Sequence, residues 1–189
     1  MVARVDILAT RRIVMKDIFQ FLAKYNKLTN QAMVQILEKV PSKDLVKDTG
    51  AFYKSILGTL NHLMGADIGW LGRVIEGIPD LADLAGALPK ISYGRKPSEG
   101  LQWGTLAEFK NVRGTVDGVI VDMIERIPAD KFCHEITFKN YRGEIHTKMT
   151  WYVLLHIFNH ETHHRGVIST LLDQMGVEND YSNVNRIPI

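Results

Sequence analysis

His156-Ile157-Phe158-Asn159-His160-Glu161-Thr162-His163-His164-Arg165-Gly166 places four of the chain's seven histidines within nine residues. The run lies inside a longer helical pattern that starts near Thr150 and stops at Gly176, a natural residue just past a helix end. At 100° per residue, Val153, Ile157, Val167, Ile168, Leu171 and Met175 define one apolar face. His160 and His164 fall in the middle of that face, and His156 and His163 lie at its border. Residues four apart on a helix are neighbours with Cβ atoms about 5–6 Å apart. Two imidazoles so placed are either core side chains that each need a polar partner or a pair converging on one divalent metal. The paired spacing on a buried face favours the metal.

Working outward from this helix, residues 11–40 repeat apolar side chains every three or four positions, at Val14, Ile18, Phe21, Tyr25, Leu28, Ala32, Ile36 and Val40. Pro41 and Ser42 end that helix. A second helix is predicted over 52–76, with Tyr53, Ile56, Leu60, Leu63, Met64, Asp67, Leu71 and Val74 as its stripe. Glycine and proline punctuate residues 77–104, a segment long enough to lie over a site, with a short helix expected at 81–88. Thr105-Leu106-Ala107-Glu108 reads as a capping box that opens a third helix over 105–126. Alternating residues about 134–148, with Asn140-Tyr141-Arg142-Gly143 between them, predict a β-hairpin before the last helix at 150–175. The tail from Val177 is polar and expected to be irregular. Four long helices and one hairpin make an all-α bundle, an architecture that builds metal sites between facing helices.

The chain's 189 residues suit one domain over 1–189. With a net charge of +2 and no basic block, neither nucleic acid nor an anionic membrane is favoured as a partner. No apolar run reaches the roughly 18 residues of a membrane span. The N-terminal residues lack the pattern of a secretory leader. A lone Cys133 cannot form an internal disulfide and fits a reducing, cytoplasmic setting. Its expected role is that of an ordinary small hydrophobe.

Two histidines on one helix do not complete a catalytic site, which commonly takes three protein ligands. His62 is the other histidine inside a predicted long helix, and Ser55, Gly58, Thr59, Gly65, Ala66 and Gly69 leave room on its side. His156 with His160 is a rival pair further from the stripe centre. His163 is expected at the edge of the face or as an outer hydrogen-bond partner, and His134 and His146 at the exposed hairpin ends. His160-Glu161-Thr162-His163-His164 also matches H-E-x-x-H, with Glu161 as base, but Val167 and Thr170 stand where the extended motif needs Gly and His. An ion pair from Glu161 to Arg165 on the helix surface accounts for the glutamate. Glu161-x-x-His164 lacks the second copy that a di-iron bundle requires. Asp67, on an apolar stripe, needs a partner and is read as structural or as an outer support of the site rather than as catalytic.

Thr59-Leu60-Asn61-His62-Leu63-Met64-Gly65-Ala66-Asp67-Ile68-Gly69-Trp70-Leu71 resembles the second-helix signature of the DinB/YfiT-like family, and 156–166 resembles its last-helix signature. Tyr25-Asn26 with Asn30 resembles its N-terminal pattern. The resemblance spans roughly residues 12–176. It implies an up-down-down-up four-helix bundle, often a homodimer, with a divalent ion, commonly zinc or nickel, held by His62, His160 and His164. The family takes its name from DNA-damage-inducible genes. Its relatives include transferases that use a low-molecular-weight thiol to attack a small electrophile. A metal-dependent hydrolase, or a non-catalytic stress-response or dimerisation bundle with a structural metal, are the alternatives.

Overall fold

The computed structural model describes residues 7–91, 101–140 and 142–186. Its long helices are α1 (Ile7–Leu37), α3 (Ile56–Gly77), α4 (Leu106–Arg126) and α5 (Thr150–Gln174), with a single turn, α2 (Ser42–Leu45), between the first two. A 3₁₀ segment, Pro79–Ala87, follows α3, and an antiparallel pair, β1 (Glu135–Lys139) and β2 (Ile145–Met149), precedes α5. Among the described residues no helix is long and apolar enough to cross a membrane.

Side-chain ties fix the helix directions. Lys16 near the start of α1 donates to the Glu125 and Ile127 carbonyls at the end of α4, and Lys110 near the start of α4 pairs with Glu38 just past α1. These two helices are therefore antiparallel. His62 meets His160 and Trp70 meets His156, so α3 and α5 also run in opposite directions. Phe19 faces Phe158, and Asn26 and Asn30 face Arg165, so α1 and α5 run the same way. Asn61 binds the backbone of Trp103 ahead of α4, while Arg126 at its end grips Asp80 and Asp83 beyond α3. Hence α3 and α4 are parallel, and the topology is up-down-down-up.

The cap at Thr105 forms as expected, with Glu108 N–H donating to Thr105 Oγ1 and Thr105 N–H to Glu108 Oε2. The start of α3 differs from the expected Phe52. Ser55 is its N-cap, accepting from the Gly58 N–H at 3.0 Å, so residues 52–54 stay outside the helix. The stripe expected on α1 is also displaced. Val14, Ile18 and Phe21 are exposed, and the buried side carries Phe19, Ala23, Asn26, Thr29, Asn30, Met33 and Leu37. A hydrophobic criterion rejects that face because three of its members are polar.

The hairpin packs on the far end of α3. A Cβ on Gly77 would lie 2.6 Å from the Ile136 side chain, so the glycine is what lets β1 approach. Residues 92–100, in the segment expected to cover a site, Tyr141 in the hairpin turn, and 187–189, including Pro188, lie outside the described residues. The tail from Val177 is irregular apart from a 3₁₀ turn at Val184–Arg186, yet it docks: Tyr181 is buried and donates to the Arg165 carbonyl, and Tyr25 donates to that of Ser182.

Candidate metal centre

Antiparallel packing of α3 on α5 sets His62 opposite the i, i+4 pair His160 and His164. The Nε2 atoms of His62 and His164 each lie 3.1 Å from His160 Nε2, and the three rings offer ligand atoms all within 4.8 Å of one another. Two nitrogens bound at tetrahedral angles to one ion at 2.0–2.1 Å are separated by about 3.3 Å. The observed spacing therefore fits a triad that could hold a metal ion. Its donor set of neutral imidazoles suits a first-row divalent ion. The same geometry is poor for hydrogen bonding alone, because His160 Nε2 faces two ring nitrogens and carries at most one proton.

Burial and mutual repulsion keep these rings neutral. Burial, followed by the charges of His164, His160 and His163, pushes His62 down to about 3. Burial and then His160 push His164 down to about 4, and His160 is lowered chiefly by burial. A neutral imidazole is the form that ligates metal.

The triad opens into a pocket of about 480 Å³ walled by Ala51, Phe52, Tyr53, Thr59 and Val167, with His163 at its rim. Tyr53 stacks on His62, ring centres 4.0 Å apart and planes 15° from parallel, and meets His164 edge-on at 5.7 Å. Its loop is fitted to α3. A Cβ on Gly58 would collide with the Tyr53 carbonyl oxygen, and Lys54 takes a positive φ of 68° to close the turn. Tyr53 escaped the sequence reading as a site residue because its ring extended the helical stripe, and Phe52 because the helix was expected to begin there. The Ser55-x-x-Gly58 pattern was the available sign that the helix begins after them.

Beneath the triad lies a buried polar cluster joining all four long helices. Arg113 Nη1 contacts Asp67 Oδ2 at 2.5 Å and Glu161 Oε1 at 3.0 Å, and its Nη2 lies 2.9 Å from Asp117 Oδ1. Arg165 Nη1 pairs with Glu161 Oε2 at 2.8 Å and donates to Asn26 and Asn30 of α1, while Asn30 Nδ2 donates to Asp117 at 3.0 Å. The Glu161–Arg165 pair is thus real but not on the surface, since Glu161 is fully buried and Arg165 is 3% exposed. With its carboxylate committed to two guanidinium groups, Glu161 is not aimed at the triad as a base.

Two guanidinium groups share this interior with three carboxyl groups, so charge balance asks one carboxyl to be protonated. Burial and the neighbouring Glu161 raise Asp67 well above the usual carboxylate range. Burial also raises Asp117, to about 6, against the pull of Arg113. For Glu161, burial is outweighed by Arg113, Asp67 and Arg165, which bring it down to about 2. Of the three, Asp67 is the carboxyl whose surroundings most favour the neutral form. Its role is structural, as expected, and Arg113 is the partner it needed.

Of the remaining residues, His156 is exposed and turned onto Trp70, with ring centres 4.8 Å apart, so the rival pair with His160 does not form. His163 is exposed at the edge of the face, as predicted. His134 is exposed, whereas His146 is half-buried beside Asn140. Cys133 is exposed, which corrects its reading as a packed small hydrophobe. The described parts of 77–104 do not line the pocket; the 51–53 loop does.

Residues 15–187 match the sequence model of the DinB family. No curated protein matches the chain. The match covers nearly the whole sequence, and the chain belongs to the DinB family.

Proposed function

We propose that this DinB-family chain is a metal-dependent transferase that joins a low-molecular-weight thiol to a small electrophile. Its ion, zinc or nickel, is held by His62, His160 and His164. The observation that carries this reading is an incomplete ligand set facing a pocket. Among the described residues the metal-ligating cluster has three members and no fourth, and both candidates for a closing ligand are engaged elsewhere, Glu161 with Arg113 and His156 with Trp70. Structural zinc sites are closed by four protein ligands, whereas catalytic ones keep a position open.

A divalent ion held by His62, His160 and His164 would supply the acidity that turns a thiol into a thiolate near neutral pH. The sulfur forms a bond to the electrophilic carbon while the bond to the leaving group breaks. The leaving group departs with the electron pair, and the thiol proton passes to solvent. The chain's own part is to bind and orient. The two helices hold the three imidazoles, Tyr53 fixes the His62 ring by stacking, and Phe52, Tyr53 and Val167 give the pocket an apolar wall. A cytoplasmic setting, where such thiols are abundant, and a homodimer belong to the same proposal. The exposed stripe Val14, Ile18 and Phe21 on α1 offers the second copy an apolar face.

The test is elemental analysis of protein purified without an affinity tag. A chelated and re-metallated sample is then assayed for thiol conjugation. Conjugation that appears with zinc or nickel and vanishes on chelation supports the proposal. A metal that exchanges no ligand, with no conjugation, refutes it in favour of a structural metal in a non-catalytic bundle. Hydrolysis without conjugation points to a hydrolase.

A further inference from the structure

We infer that the pocket over the triad selects an uncharged aromatic electrophile, and that Phe52 is its specificity-determining residue. The inference rests on the transferase reading and adds the class of its second substrate.

Three observations carry it. First, the wall offers no counter-charge. Apart from its histidines, the described lining contains no Lys, Arg, Asp or Glu. An acid group at the far end of a ligand would meet Ala51, Phe52 and Val167 and lose water without gaining a partner. Second, Phe52 is 80% exposed, next to a ring that is already stacked. Among the described residues its one aromatic contact is T-shaped with Tyr53 at 4.9 Å, so most of its ring surface stays available to a flat ligand. Third, this exposure is built rather than incidental. The turn that presents Phe52 is tied by Gly50 N–H to Asp48, by Thr49 N–H to the Lys54 carbonyl at 2.6 Å and by Lys54 N–H to Ala51 at 2.8 Å. It also needs the positive φ of Lys54 and the missing Cβ of Gly58. A loop fixed at that conformational cost holds its rings in one place beside the triad. The pocket's volume suits a molecule of one or two rings.

For a benzylic halide the thiol sulfur would bond to the benzylic carbon as the carbon–halogen bond breaks. Halide would leave with the bonding pair and the thiol proton would go to solvent, while the ring rests on Phe52.

Two measurements test the inference. Binding of naphthalene-2-methanol to metal-free and zinc-loaded protein is followed by its fluorescence. Phe52→Ala is expected to weaken binding about ten-fold and Phe52→Trp to retain it, with zinc content equal in all three proteins. Conjugation rates are then compared for benzyl bromide and 4-(bromomethyl)benzoate. The wild type is expected to favour the neutral halide in kcat/KM, and Phe52→Arg to shift that ratio toward the anion. Equal probe affinity in wild type and Phe52→Ala, or a halide ratio that Phe52→Arg does not move, overturns the inference even if thiols are transferred. Probe binding that depends on Phe52 in a protein that conjugates nothing removes the transferase reading and leaves the aromatic subsite standing.

Discussion

Replacing Arg113 by Met keeps the volume and removes the cation that three buried carboxyl groups share. The residue is 2% exposed and touches Asp67, Asp117 and Glu161, so water does not take its place. Breaking a buried pair by deleting one partner costs about 3–5 kcal/mol. The interior has one alternative, which is to bind one more proton. Protonating a carboxyl with an unfolded pKa near 4 costs roughly 5 kcal/mol at pH 7.5 and roughly 2 kcal/mol at pH 5.5, at about 1.4 kcal/mol per unit. The destabilisation at pH 7.5 is thus expected at about 3–5 kcal/mol, a large share of a typical domain's stability. The sign of its pH dependence follows from the extra proton. The folded variant binds more protons than the folded wild type, so the variant's relative stability falls as pH rises. The gap between the two proteins should shrink by about 2–3 kcal/mol between pH 7.5 and 5.5. Urea unfolding followed by circular dichroism at both pH values measures it. A gap under about 1 kcal/mol at pH 7.5, or one that does not narrow in acid, would falsify the charge accounting of this core.

His164→Ala should lower zinc or nickel affinity by more than about a hundred-fold, the ceiling for outer-shell changes, with the helical circular dichroism signal retained because the apolar core is separate. Full metal occupancy in that variant would transfer the site to His156 and His160. Gly58→Ala should displace the Tyr53 carbonyl and unstack Tyr53 from His62, costing about 1–3 kcal/mol of stability and weakening zinc binding; unchanged zinc affinity would show that the stack orients nothing. In the metal-free protein His62 and His164 sit at about 3 and about 4, below the ordinary histidine value of 6.5. The unfolded chain therefore takes up their protons first, and these two groups should make stability fall as pH drops from 6.5 toward 4. For the same reason zinc uptake at pH 6.5 should displace almost no protons, and calorimetric enthalpies that varied with the buffer's ionisation heat would contradict it.

The bundle was legible because its strongest signals are local. The capping box at Thr105, the breakers at Pro41 and Gly176 and the alternation around Asn140 each act within a few residues, and the structure places them within about four residues of expectation. The triad was legible for a different reason. Histidines on a buried face carry a signal in both spacing and environment, and His62 stood among small residues. What was hidden has long-range causes. The buried side of α1 could not be read from hydrophobicity, because Asn26, Thr29 and Asn30 are buried, and Asn26 and Asn30 serve Arg165 and Asp117 from distant helices. Arg113 carries no local signal in the sequence, since its three partners lie on two other helices and one turn along its own. Tyr53 was misplaced because an aromatic ring that covers a site from a loop has the same periodicity as one that continues a stripe.

The H-E-x-x-H string shows how these two kinds of information combine. On α5 the glutamate is rotated 100° from His160, so when His160 faces α3, Glu161 must turn into the bundle. There Arg113 and Arg165 bind it, and through them α1, α3 and α4. The carboxylate that resembles a protease base thus does mechanical work. It sets the rotation of α5 about its own axis, and with it the direction in which His160 and His164 point. Glu161→Gln keeps the shape and one acceptor but loses the charge, so it should loosen this setting. The expected readout is weaker zinc binding by about 10–100-fold, the range for residues that orient ligands, with Arg113→Met moving it in the same direction. A base would behave otherwise, because its removal would leave metal affinity intact and abolish turnover alone.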